Sequence, residues 1–181
     1  MTDLALAACA LGGAKVAASL GSLYAPDTAR RTWLGFARHE IAGWVLTAIA
    51  LAWACWLLLK TPPFSVMPRI EPMVYVGGPL AFFILVIFLD EMLASRALGG
   101  LLVLLANPVM AAARMNESPI SVVMTLLAYA WAVYGMVLVV SPFRFRQLAE
   151  YITASRKRFR SGNLVGLGAG IVLLVLGAAV Y

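Results

Sequence analysis

Residues 120–140 read ISVVMTLLAYAWAVYGMVLVV, a stretch without a single charged side chain. Wound as an α-helix it is about 31 Å long, at 1.5 Å rise per residue. That matches the roughly 30 Å hydrocarbon core of a bilayer. Lipid offers no hydrogen bonds, so a helix that pairs its own backbone groups is a natural form for such a run. Residues 141–163, SPFRFRQLAEYITASRKRFRSGN, change the character abruptly and carry a basic cluster. Residues 164–180, LVGLGAGIVLLVLGAAV, are apolar again. Span, basic loop and span in succession are the signature of a membrane hairpin.

The rest of the chain repeats the theme. Of 181 residues, 63% are hydrophobic and 12% charged, and the mean hydropathy is +0.92. An ordinary soluble domain is about 45–50% apolar and about 25% charged. A soluble globule of this size has no interior large enough for so much oil, and disorder requires the opposite composition. Five segments have the length and apolarity of a span: Leu4–Leu23, Ile41–Leu59, Met73–Leu89, Ile120–Val140 and Leu164–Val180. A sixth, Ala97–Ala113, is short and contains Pro108. It either crosses or dips in and returns. The N-terminal run lacks the positive n-region of a signal peptide and carries Asp3 and Lys15, so it reads as a retained first helix.

Charge distribution decides between five spans and six. With six, one side holds Arg30, Arg31, Arg38, Arg96, Arg144, Arg146, Arg156, Lys157, Arg158 and Arg160. The other side holds Lys60, Arg69 and Arg114. Five spans give a far weaker bias. Positive residues concentrate on the cytoplasmic side, so the expectation is an all-α, polytopic bundle of six spans, with five plus a re-entrant segment as the alternative. Both termini then face the periplasm of a bacterial cytoplasmic membrane. Eleven Arg against three Lys, in a chain rich in Ala, Gly, Leu and Val, fits a bacterial gene of high GC content. The chain reads as a single membrane domain, 1–181, arranged as three hairpins, 1–62, 63–118 and 119–181.

Two loops contain amphipathic stretches. Phe145, Leu148, Ala149 and Ile152 share one helix face, as do Ala29, Trp33, Phe36 and Ala37. Both predict short helices in the headgroup layer. Trp33, Arg144, Arg146 and Arg158 are the residues expected at the lipid interface, against anionic headgroups. The same placement explains the net charge of +6 without invoking nucleic acid.

From Tyr129 to Tyr181 the order is apolar helix, Ser141-Pro142, basic amphipathic stretch and glycine-rich helix. It resembles the small two-helix bacterial inner-membrane proteins of uncharacterised function. The resemblance covers under a third of the chain. It implies a membrane hairpin and brings no activity, cofactor or site residue.

Residues that carry chemistry are few. Lys15 lies eight residues from the end of its span, roughly 12 Å deep. A charge there costs at least about 2.5–3.5 kcal/mol on insertion scales. It either snorkels along a tilted helix, pairs with an acid, or lines a polar path. Asn107 precedes Pro108, whose ring removes a helical hydrogen bond that the amide is placed to replace. Lys15, Asn107 and Thr47 fall at similar depths, which raises the prospect of one polar cluster. Asp90, Glu91 and Arg96 bracket a short loop as an interfacial charge cluster or an ion entry. Adjacent carboxylates point about 100° apart on a helix, a poor arrangement for acid–base work.

Cys9 and Cys55 lie inside apolar runs, and a single histidine, His39, rules out a bis-His haem held by this chain. No nucleotide-loop, zinc-protease or serine-hydrolase motif occurs. No catalytic, metal or cofactor residue is therefore expected, and the chain does not read as an enzyme. The glycines are more informative. Gly13, Ala17 and Gly21 repeat at a spacing of four, as do Gly162, Gly166 and Gly170. Small residues at that spacing let helix backbones approach closely. The expected function is a non-catalytic accessory or scaffold subunit, perched on other membrane subunits or on itself, with phospholipid at its basic face. The alternative is a small transporter or channel built around Lys15 and Asn107.

Overall fold

The computed structural model describes residues 3–36, 39–60, 70–88, 92–115 and 121–179. Among them are eight helices and no strand. They are α1 (Asp3–Tyr24), α2 (Pro26–Phe36), α3 (Glu40–Lys60), α4 (Ile70–Phe88), α5 (Leu93–Arg114), α6 (Ser121–Val140), α7 (Phe143–Thr153) and α8 (Arg156–Ala179). Helices α1, α3, α5, α6 and α8 are long and apolar enough to cross a membrane.

Three boundaries differ from the sequence expectation. The Pro108 segment is not short: α5 is continuous from Leu93 to Arg114, with Pro108 inside it. It absorbs residues assigned above to the preceding loop. The shorter apolar helix is α4 instead, whose apolar run Pro72–Phe88 is about 25 Å long at 1.5 Å per residue. Finally, α8 starts at Arg156 and takes in the basic run RKRFRSGN. Arg and Lys are good helix formers. Side-chain bonds back to the helix occupy its carbonyls, from Ser161 to Arg158 at 3.1 Å and from Asn163 to Phe159 at 2.9 Å.

The chain divides into two compact units that cut across the expected hairpins. The first comprises Met1–Gly35, Leu105–Ala132 and Arg146–Tyr181; the second comprises Phe36–Leu104 and Val133–Phe145.

In the first unit, α1 packs along α8 through glycines. A Cβ on Gly12 would lie 2.8 Å from the Gly170 carbonyl oxygen, and one on Gly170 would lie 2.9 Å from Val16 Cγ2. A Cβ on Gly177 would meet Cys9 Sγ at 2.6 Å. Such backbone approach is the geometry that small residues permit. Leu4 and Ala8 join Ala106, Val109, Ala113, Met124 and Ala128 in a buried cluster that includes the end of α5 and the start of α6. Helix α7 buries Ala149, and Thr153 donates to the Ala149 carbonyl at 2.6 Å.

In the second unit, α3 packs on α4, and a Cβ on Gly78 would meet Cys55 Sγ at 3.0 Å. Gly99 of α5 and Gly135 of α6 face each other: a Cβ on either would come within 2.6 Å of the other's carbonyl oxygen. Gly43 of α3 lies against Leu93 and Ala94 at the start of α5. Most of α4 is uncovered, with Met73, Tyr75, Ile87 and Phe88 exposed. Open apolar side chains of this kind are suited to lipid more than to water.

Candidate functional sites on the first and last helices

The expected small-residue stripes have different fates. Gly166 and Gly170 are buried against α1. Gly162 is exposed and a Cβ there would meet only Ile152, at 3.8 Å. On α1 the glycine that meets α8 is Gly12, one position from the expected Gly13. Around Gly13 and Gly21 there is open space, and Ala17 is exposed. Ala10, Ala14 and Ala18 are exposed as well. Helix α1 therefore has two small-residue faces, one closed by α8 and one left open. Gly99, Gly135 and Gly43 also mark close crossings, and the stripe reading missed them. The Gly12-Gly13 and Gly99-Gly100 pairs were the available signal, since one member of each pair is packed and the other has open space.

Lys15 lies along α8, with Cε 3.1 Å and Nζ 3.5 Å from where a Gly166 Cβ would sit. The residue is exposed. Among the described residues no carboxylate reaches it, and the ion pairs found there are Arg146–Glu150 and Arg156–Asp27. Asn107 and Pro108 are exposed, and no hydrogen bond among the described residues repairs the Pro108 break through the Asn107 amide. No hydrogen bond joins Asn107 to Lys15. Thr47 is buried and donates to its own helix, to the Gly43 carbonyl at 2.7 Å. The polar cluster proposed from depth is thus not linked by hydrogen bonds. Equal depth fixes height along the membrane normal and leaves rotation about each helix free.

Asp90 and Glu91 lie outside the described residues. Arg96 is half-buried and its Nε has no hydrogen-bond partner among the described residues, as is true of the fully buried Ser95 Oγ beside it. The turn before them is tight: Met92 has φ 59°, and its carbonyl accepts from the backbone N–H of Ser95 at 3.0 Å and of Arg96 at 3.3 Å. His39 caps α3, its Nδ1 accepting the Ala42 N–H at 3.3 Å.

The residues expected at the lipid interface lie on α2, on α7 and at the start of α8. Trp33 is 40% exposed on α2, which buries no residue. Arg146 pairs with Glu150 at 2.6 Å. The Arg158 guanidinium stacks over the Tyr151 ring at 4.8 Å, and Arg144 lies 5.6 Å over Phe143. Within the first unit, Arg30 donates to the Thr153 carbonyl, and Arg156 reaches Asp27 at 3.3 Å. These two contacts tie α2 to the α7–α8 junction. Beside them, where α1 ends and α8 begins, lies a crevice of about 520 Å³. The other crevices described are apolar: about 570 Å³ along α1 and α5, and about 360 Å³ between α3 and α4. Neither Lys15 nor Asn107 lines any of the three.

These features define a multi-pass α-helical membrane protein. Comparison of the chain with protein-family models, curated protein sequences and solved structures found no match.

Proposed function

We propose that the chain is a non-catalytic subunit of a larger bacterial membrane complex, docked through the open face of α1. The supporting observation is the open face of α1: no atom lies within 4 Å of a Cβ built on Gly13 or Gly21, and Ala17 is exposed. A close-packing face with nothing against it has the form that a neighbouring helix fills. In this reading the basic loops face the cytoplasm and rest on anionic lipid, with Trp33, Arg144, Arg146 and Arg158 at the interface. The termini then face the periplasm.

A photo-crosslinking residue at Ala17 tests the reading in native membranes. The expected product is a defined adduct with a second, different polypeptide. Adducts with lipid alone contradict it. A second reading, a small transporter, draws on Lys15, which pairs with no carboxylate among the described residues and at that depth costs about 2.5–3.5 kcal/mol or more in lipid. It predicts that Lys15→Ala and Asn107→Ala abolish solute flux in the isolated, reconstituted chain.

A further inference from the structure

The crevice between the end of α1 and the start of α8 has two chemically distinct walls. One is cationic: Arg156, Lys157 and Arg160, with Ser22 also in the lining. The other is apolar: Leu23, Phe159 and Leu164. Helical spacing puts Lys157, Arg160 and Leu164 at i, i+3 and i+7, on one face of α8. Leu164 lies one turn, about 6 Å, from Arg160 in the direction of the span. The crevice therefore runs from a polyvalent cationic mouth onto the hydrocarbon-facing part of two spanning helices.

The mouth is short of negative charge. Asp27 engages Arg156 at 3.3 Å, and Glu150 is held by Arg146 at 2.6 Å. Lys157 and Arg160 make no ion pair or hydrogen bond through their side chains among the described residues, and both are exposed. The first turn of α8 gathers Arg156, Lys157 and Arg158 at the helix end that favours anions. Like charges crowded there repel one another until an anion is seated among them.

We infer that this crevice is a binding site for one anionic phospholipid, its phosphate held by Lys157, Arg160 and Arg156 and its acyl chain laid along Leu23, Phe159 and Leu164. The assignment sharpens the lipid-facing part of the proposed function to one site. It is independent of whether a partner subunit exists. Phosphate is the shared chemistry of a lipid headgroup and a free anion, and the apolar wall favours the lipid. The four basic residues used elsewhere, Arg30, Arg144, Arg146 and Arg158, line no part of it.

The full-length chain in neutral detergent is offered palmitoyl-oleoyl phosphatidylglycerol and the matching phosphatidylcholine, and retained lipid is counted by native mass spectrometry. One phosphatidylglycerol is expected to be held in preference to phosphatidylcholine. Near an anionic surface each basic residue contributes about fivefold in binding, so Lys157→Gln with Arg160→Gln weakens retention by about 25-fold. Arg31→Gln with Arg114→Gln removes the same charge outside the crevice and leaves retention within about twofold. Leu164→Ser weakens it without altering charge. Thermal unfolding in detergent is expected to be unchanged in all three variants, because the altered side chains are exposed. Equal loss in both double variants overturns the site in favour of diffuse charge. Displacement of the lipid by millimolar inorganic phosphate overturns the lipid assignment in favour of a free anion. Displacement by hexaglutamate, with phosphate inert, overturns it in favour of an acidic protein segment.

Discussion

The α1–α8 pair and the α3–α4 pair are both built on glycine, yet they use it differently. In the first, Gly12 and Gly170 bring backbone against backbone, so any side chain meets main-chain atoms that cannot yield. In the second, Gly78 admits only the tip of a cysteine side chain. Around the first, an apolar cluster gathers from α1, α5 and α6. In the second, α3 buries only Gly43 and Thr47 among its described residues. Lipid tails are as apolar as leucine, so association inside a bilayer depends on close packing and hydrogen bonds more than on burial. The lesson is that the presence of glycine does not measure the strength of a helix contact; what the missing Cβ would strike does.

Substitutions sharpen that contrast. Gly170→Leu is expected to do the most damage. Its side chain would run into Val16 and the Gly12 carbonyl, and overpacking of this kind costs about 1–3 kcal/mol or more. Loss of the folded monomer in detergent, followed by thermal denaturation, checks it. Gly78→Ala is expected to cost under about 1 kcal/mol in the same assay, since a Cys55 rotamer change relieves the contact. A Gly78 variant as damaging as the Gly170 variant would erase the distinction between the two pairs. Gly13→Ala is expected to leave the isolated chain intact or to raise its stability by up to about 1 kcal/mol, because alanine is the better helix former and the space is open. Destabilisation there would mean that the open face of α1 is covered by this chain after all. The smallest effect falls on the exposed Arg146–Glu150 pair: Arg146→Ala should change stability by about 0.3–0.5 kcal/mol at low salt and less at high salt.

Much of this architecture was legible in the residues themselves. The apolar runs gave the helices, because an uncharged run of about twenty residues has few other stable forms in lipid. Of the face expected on α7 from Phe145, Leu148, Ala149 and Ile152, Phe145 and Ala149 are buried and Leu148 is 40% exposed. Gly166 and Gly170, singled out by their spacing, lie against α1. The register on α1 was not legible. Gly12 and Gly13 differ by one residue, hence by about 100° around the axis, and an apolar helix with small residues on both sides does not say which side is closed. The start of α8 was hidden because a basic run reads as loop when hydropathy alone is weighed, although arginine and lysine extend helices well. The crevice between α1 and α8 was half visible: the sequence shows the basic cluster, but only the fold shows that Lys157 and Arg160, and not Arg144 or Arg158, line it together with Leu23 and Leu164.

Helix α1, closed on one face and open on the other, carries the account. Gentle extraction of native membranes followed by native mass spectrometry tests it most directly, with the wild-type chain beside Gly13→Leu. The account predicts stoichiometric association of the wild-type chain with larger, different subunits, and release of the Gly13→Leu chain as a folded monomer. A wild-type chain that leaves the membrane alone, or only with copies of itself, contradicts the claim.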